Sequence, residues 1–338
     1  MSRKDFELDM DDKQMKGLLK KAKRKHLLRN WIISICASIV VIIGIYISSI
    51  YFSQKTFIKM EIQRNVLHTV KGPNILFNGH TKLSMGLTGG TIIYSSYKNI
   101  AGQPVKWIDE IYEYSSILGY SQLNFNGNTI LDEESGNKKD EFETLPDYNS
   151  QTMQREMRFY LPFVTYKNYV NDLKNIGELQ NKVGEIAISF DKAYTVEQIE
   201  KMLPKDVQPV WYWVDTYNEN SPDTYVGLKE PKTGAVLNAV MSTHVYGFQG
   251  SYTKKEEYSK ENIKRNSKDF MDAMKKLNEN NQLNNDDVQN HYKNIKGISP
   301  KDLPIYGVVI TGTTDSLQQL QGAPYIKAAV RGVIVDKQ

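Results

Sequence analysis

The stretch Trp31–Phe52, WIISICASIVVIIGIYISSIYF, runs 22 residues without a charge, proline, asparagine or glutamine. As an α-helix rising 1.5 Å per residue it reaches about 33 Å, enough to cross a hydrocarbon layer of about 30 Å. In lipid every backbone donor and acceptor must be satisfied internally, which restricts a lone run of this kind to a helix. Ser34, Ser38, Ser48 and Ser49 can return their hydroxyls to the helix backbone, while Trp31, Tyr46, Tyr51 and Phe52 place rings mostly near the two ends, as an interfacial belt requires. A cleaved signal would have an apolar core of about 7–15 residues followed by small residues. Here the run exits through Tyr51-Phe-Ser-Gln-Lys55, and Cys36 lies inside the apolar stretch behind the bulky Ile35, which excludes a lipoprotein site. The segment 31–53 is therefore read as an uncleaved, single-pass anchor.

Charge divides the chain at this anchor. Residues 1–30 hold ten Lys/Arg against five Asp/Glu, whereas residues 53–338 hold 33 basic and 34 acidic groups. The basic character belongs to a short tail. The large remainder has no net charge suited to phosphate backbones, so no nucleic-acid partner is expected. Seven basic groups lie in residues 16–30 (Lys16, Lys20, Lys21, Lys23, Arg24, Lys25, Arg29) and three in residues 53–67 (Lys55, Lys59, Arg64). This bias puts the N-terminus in the cytoplasm and about 285 residues outside. The exterior part has no cysteine and no Asn-x-Ser/Thr sequon, which fits a bacterial cell membrane better than a secretory pathway.

Within the tail, Asp5–Asp12 is acidic and Lys20–Lys25 basic, an order that suits a helix dipole with Asp11 or Asp12 as N-cap. Phe6, Leu8 and Met10 alternate and read as an extended lead-in. Met15, Leu18, Leu19 and Ala22 follow the spacing of one helical face, continued by His26, with Gly17 as a weak point. The basic run Lys20, Lys21, Lys23, Arg24, Lys25 and Arg29 is read as fixing topology and lying against anionic lipid headgroups. The apolar stripe fits either a membrane surface or a groove on a protein partner.

The exterior reads as α+β. Residues 54–165 form a β-rich region after a juxtamembrane stretch, with strands around Thr91–Tyr97 and Trp107–Tyr114 set off by Gly89-Gly90 and Gly102-Gln-Pro104. Residues 132–150 read as a solvated loop, and 155–176 as an aromatic strand followed by a helix. Residues 166–338 contain a weak repeat of two β-α-β-like units. In one, strand 185–190 leads through helix 195–203 to strand 210–217; in the other, strand 306–311 leads through helix 315–320 to strand 326–336. From Ile188 to Val214 is 26 residues and from Ile310 to Val335 is 25. A polar, partly helical insert, 254–300, joins the units, and helices on one sheet face would bury both.

Catalytic signatures are missing. No H-E-x-x-H, G-x-S-x-G, Walker A or G-x-G-x-x-G occurs, and the single cysteine excludes both disulfides and a Cys-based zinc site. Asp132–Glu143 imitates a calcium loop with its glycine one place early. Trp211 and Trp213 share one strand face and read as core, as does Trp107. Neither metal nor cofactor is expected, and nothing argues for an enzyme.

Several segments resemble the sigma factor regulator proteins of Bacillota. They are Leu18–Lys25 running into the anchor, Gln154-Arg-Glu-Met-Arg-Phe-Tyr160, Ala187-Ile-Ser-Phe-Asp191 with Trp211-Tyr-Trp-Val-Asp215, Tyr306-Gly-Val-Val-Ile-Thr-Gly312, and Ile326–Asp336. The resemblance spans nearly the whole chain as an N-terminal anchor domain and a C-terminal regulator domain. It implies a membrane-bound anti-sigma factor that holds an extracytoplasmic-function sigma factor inactive. The His and Cys ligands of a zinc-binding anti-sigma domain are missing from residues 1–30, and a tail that short implies help from a second membrane protein. The competing reading is a membrane-anchored binding module for an envelope ligand, whose tail only sets topology.

Overall fold

The computed structural model describes residues 12–86, 88–123, 128–130, 146–227, 229–252, 256–279 and 286–338. Helix α1, Asp12–Val70, runs unbroken for 59 residues, about 88 Å of helix at 1.5 Å per residue. The lead-in at Phe6–Met10, the N-cap Asp11 and the calcium-like loop 132–143 lie outside the described residues. Beyond the apolar run α1 continues for some five turns, so the juxtamembrane stretch is helix and the strands begin only at Leu76. No proline or glycine interrupts residues 53–70. Gly72, at a left-handed φ of 88°, then stops the helix, and Pro73 prevents its resumption.

Four strands follow as a meander: β1 Leu76–Met85, β2 Gly89–Ile100, β3 Gln103–Ser115 and β4 Gly119–Leu123. Both strands expected here fall inside β2 and β3. Two small pairs come next. Strand β5, Asn128–Ile130, joins β6, Asp147–Asn149, and β7, Arg158–Phe159, joins the later β10, Val240–Met241.

The C-terminal part is built on β8 Lys182–Tyr194, α2 Val196–Met202, β9 Gln208–Val214, β11 Gly247–Gln249, α3 Glu256–Glu279, α4 Asp286–Ile295, β12 Ile305–Thr313, α5 Thr314–Gln318 and β13 Ile326–Asp336. The two repeats are present, and they interleave. The sheet order is β11-β9-β12-β8-β13 with every neighbouring pair antiparallel. Thus β8 and β9 are parallel with β12 between them, and β12 and β13 are parallel with β8 between them. This is the split β-α-β, ferredoxin-like arrangement extended by one edge strand. Each crossover helix starts on a threonine cap. Thr195 and Gln198 form a reciprocal capping box, and Thr313 Oγ1 accepts from Ser316 N–H. At the sheet centre a side chain on Gly307 would strike the Ile188 carbonyl, so Trp213 packs over bare backbone there.

Alternation along the strands loads both faces of this sheet. Ile186, Ile188, Val308 and Ile310 join Ile199 of α2, Leu317 of α5 and Phe270 of α3 on the helical face. Ala187, Trp211, Trp213 and Val309 join Phe159 and Tyr166 on the other. Both tryptophans are core, as read from the sequence.

That second face is covered by irregular chain, and here the expectation of a helix within 155–176 fails. After the two residues of β7 the segment lies flat across the tryptophans, with only short 3-10 turns at Asp172–Lys174 and Ile176–Glu178. Side chains take over the role of a helix ladder. Tyr160 N–H donates to Ser189 Oγ (2.9 Å), Leu161 N–H to Tyr166 Oη (3.2 Å), and Tyr166 N–H to Tyr169 Oη (3.0 Å). Lys327 of β13 donates to the carbonyls of Leu161, Pro162 and Val164 at 3.0, 2.7 and 2.8 Å. Pro162 supplies no donor of its own, and the apolar gain of covering two tryptophans outweighs local helix preference. Burial pushes the Lys327 ammonium below its ordinary pKa. The Leu161 carbonyl also accepts from Val164 N–H and that of Val164 from Tyr169 Oη, so we expect Lys327→Met to strip Pro162 O of its donor, to weaken the other two, and to lower unfolding stability by about 2 kcal/mol in denaturant titration of the detergent-solubilised chain.

Candidate functional site

At its N-terminal end α1 presents the tail stripe to solvent. Met15, Leu18, Leu19 and Ala22 sit at offsets of 0, 3, 4 and 7 residues on one side of the helix, and all four are exposed. Lys20, Lys21 and Arg24 occupy the opposite side, and Lys23 and Lys25 flank the stripe. Arg29 continues its line one turn beyond His26, with Arg29 Nη2 3.3 Å from His26 Nδ1. All six of these basic residues are exposed. The stripe and its basic border are thus one surface rather than two separate features. The apolar run follows without a break; an 18-residue window there has mean hydropathy 2.4 and no buried residue. This is the one helix among the described residues long and apolar enough to cross a membrane.

At its C-terminal end the same helix is gripped. Ser53, Phe57, Met60 and Arg64 recur every three or four residues and face the meander sheet, where Met60 is enclosed with Ile92, Tyr94, Tyr112 and Tyr114. Glu61 accepts a hydrogen bond from Tyr94 Oη. Arg64, 4% exposed, lies between two rings, with Cζ 4.0 Å from the Phe77 centroid and 3.7 Å from that of Tyr94. Its Nε donates to Glu110 Oε2 at 3.0 Å, and His68 Nε2 lies 3.1 Å from the same oxygen. Burial pulls the Glu110 carboxyl upward, but His68 and Arg64 outweigh it and hold the group below its ordinary 4.5. The last turn enters the other unit: Val70 is buried, and Val66 and Leu67 are packed, in the core shared with α3.

Just past the helix stop lies a second polar knot. Lys98 Nζ of β2 donates to Glu185 Oε1 of β8 at 2.6 Å, with the ammonium 3.9 Å from the Trp107 ring. Asn74 Nδ2 donates to Glu185 Oε2 at 2.9 Å, and Val333 N–H to Glu185 Oε1 at 3.2 Å. Gln249 Nε2 reaches the carbonyls of Gly72 and Ile75 at 3.3 and 3.4 Å. The residues that end α1 are therefore tied at once to the meander, to the central sheet and to its edge strand. Beside the knot opens a cavity of about 350 Å³ whose lining includes Lys98, Trp107, Asn149, Glu156 and His244. Burial raises the Glu156 carboxyl above its ordinary value despite Lys98 and a hydrogen bond from Asn149 Nδ2. Among the described residues no group of three or more His, Cys, Asp or Glu is placed to hold a metal ion.

This layout, a membrane-crossing helix exposed at one end and clamped at the other, coincides with two family matches. The sigma factor regulator N-terminal domain matches residues 16–105, and the sigma factor regulator C-terminal domain matches residues 173–333. The chain belongs to the sigma factor regulator family. No curated protein and no solved structure matches it. The N-terminal match takes in the tail stripe from Leu18 onward, leaving out Met15, together with the span, the clamped stripe and strand β2 with Lys98; the C-terminal match takes in Glu185 and both β-α-β units up to Val333 in β13. The regulator is a single-pass membrane protein of a regulatory, not enzymatic, family.

The four tail residues read from the sequence lie on one exposed side of α1, whereas the joint was not read from it. Two signals for the joint were present. Glu185 is the single charge between Lys182 and Asp191 in an otherwise apolar strand, and Lys98 is the first charge after Lys82. A charge so placed is either on an edge or paired in the interior. For the clamp we expect Glu110→Gln to cost about 3 kcal/mol at neutral pH, because it strips a buried arginine of its counter-charge. A carboxyl held below its unfolded value contributes fully above about pH 4.5 and loses that contribution as pH falls through the lowered value. The gap between Glu110→Gln and the unsubstituted regulator should therefore narrow below about pH 4, read by chemical denaturation across pH.

Proposed function

We propose that the regulator is an anti-sigma factor whose tail, through Met15, Leu18, Leu19 and Ala22, holds an extracytoplasmic-function sigma factor at the inner membrane surface, while its exterior body receives an envelope signal. One observation carries this reading: the exposed tail stripe and the clamped outer stripe are turns of a single unbroken helix. A change in the clamp therefore moves or rotates the tail without a flexible linker to absorb it. The chain divides by function into the tail 1–30, the span 31–53, a β-rich exterior region 54–165 and the C-terminal regulator domain 166–338. Seven basic groups before the span against three after it support a cytoplasmic N-terminus and an exterior C-terminus. Lys20, Lys21, Lys23, Arg24, Lys25 and Arg29 contact anionic lipid.

The tail separates this reading from a surface binding module. A buried leucine contributes about 1.5–3 kcal/mol, and a carboxylate in its place adds a desolvation cost. Exposed lysine contacts contribute less than about 1 kcal/mol. Leu18→Glu with Leu19→Glu should release the sigma factor and switch on its regulon at unchanged protein level, whereas Lys20→Gln with Lys21→Gln should change little. Silence of both variants favours the module, and the reverse order makes the tail a lipid contact. A reporter fused after Gln338 should read an exterior location; a cytoplasmic reading would remove the anti-sigma argument.

A further inference from the structure

The end of the meander sheet nearest the span carries an apolar tip that neither the tail nor the joint accounts for. All four strands come together there: Met85 pairs with Gly90, Gly89 with Ser115, and Ser115 with Gly119. The tip exposes Leu83 by 59%, Met85 by 72%, Ile117 by 78% and Leu118 by 89%. No charge occurs from Leu83 to Tyr97 or from Tyr114 to Ser121. In water this would be an unprotected patch on an otherwise well-packed body.

Its height along α1 says what covers it. Ser116 Oγ, in the turn between β3 and β4, lies 3.3 Å from Ser49 Oγ. Ser49 is three residues short of Phe52, where the uncharged run ends, so the contact is about 5 Å inside that limit. The tip therefore stands level with the last turn of the span. Its backbone is prepared for loss of water. Ile117 and Leu118 N–H both donate to Ser115 Oγ at 3.2 and 3.4 Å, Ser116 N–H donates to the Thr88 carbonyl at 2.6 Å, and Gly86 N–H to that of Gly89 at 2.7 Å. Unsatisfied backbone donors are what bar ordinary loops from lipid. Tyr51 of α1, 63% exposed, and the half-buried Tyr120 of the sheet lie around the same level, amphipathic rings of the kind expected at a headgroup boundary.

We propose that Leu83, Met85, Ile117 and Leu118 form a lipid-contacting tip that dips into the headgroup–acyl boundary of the leaflet where α1 leaves the membrane. The partner is the bilayer itself. The inference stands apart from the sigma factor reading and from orientation, since it holds for whichever leaflet that is. Its consequence is a second point of membrane contact, fixing the tilt of the meander and of the clamped helix against it.

The test uses the full chain, carrying Cys36→Ala and one introduced cysteine bearing a polarity-sensitive fluorophore, in phosphatidylcholine–phosphatidylglycerol vesicles. Leu118→Cys and, separately, Ile117→Cys report the tip. Ala101→Cys reports the opposite end of the same sheet, some 30–40 Å away along strand β2 at about 3.3 Å per residue. Lipids spin-labelled near the glycerol end of the acyl chain should quench both tip labels about twofold more than the Ala101 label, and iodide in the water should show the reverse order. Equal iodide access at the tip and at Ala101, without lipid quenching, would overturn the proposal. So would a tip label shielded from both quenchers, which would mean a protein covers it, or shielding that grows with the protein-to-lipid ratio, which would mean a second copy does.

Discussion

Everything in this molecule hangs on a helix that cannot bend cheaply where it crosses from one solvent to another. Inside the bilayer each backbone bond of α1 is obligatory. Outside it, a stripe repeating every three or four residues from Ser53 to Arg64 keeps the helix packed against the meander, so the same rod continues to Val70. Helices usually end near a membrane surface because water offers the backbone other partners. Here the packing stripe removes that freedom, and Gly72 ends the helix only after its last turn has entered the second core.

The clamp is polar where a simpler design would be apolar. Arg64 with Glu110 and Lys98 with Glu185 are both buried pairs, each lying against an aromatic ring. Such pairs add little net stability over well-packed apolar residues, because desolvation cancels most of their attraction, yet removing one partner is severe. What they supply is registry: a charge on α1 or β2 has one position at which its partner waits. A slip of the helix by one turn, about 5.4 Å, would carry Arg64 away from both Glu110 and the Phe77 and Tyr94 rings. That property suits a joint that transmits position rather than one that only adds cohesion. Two of the four charged partners lie on the meander, one on α1 and one on the central sheet, so the joint ties three bodies with few residues.

Much of this was legible in the sequence because the relevant physics is local. A 22-residue uncharged run, a charge bias across it, a four-residue tail stripe and the Trp211–Trp213 alternation each need only neighbouring residues to be read. The two β-α-β units were visible as matching spacings, but their interleaving was not. Strand β8 pairs with β12 more than a hundred residues later, and an apolar run such as that of β8 does not name its partner. The segment 155–176 misled for a related reason. Its donors go to Ser189, Tyr166 and Tyr169 and its carbonyls to Lys327, and the contribution of Lys327 comes from far along the chain. The joint was hidden in the same way, since the Lys98–Glu185 pair spans 87 residues and Arg64–Glu110 spans 46.

The central claim is that tail and clamp share one rigid helix, and a distance measures it. With Cys36→Ala as background, spin labels at Lys20→Cys and Lys55→Cys lie 35 residues apart on opposite sides of the bilayer. An unbroken helix in reconstituted membranes gives a narrow distribution centred near about 53 Å by pulsed dipolar spectroscopy, at 1.5 Å per residue. A broad distribution, or one centred well below about 45 Å, would mean that the chain breaks at a membrane surface and that the tail moves independently of the clamp.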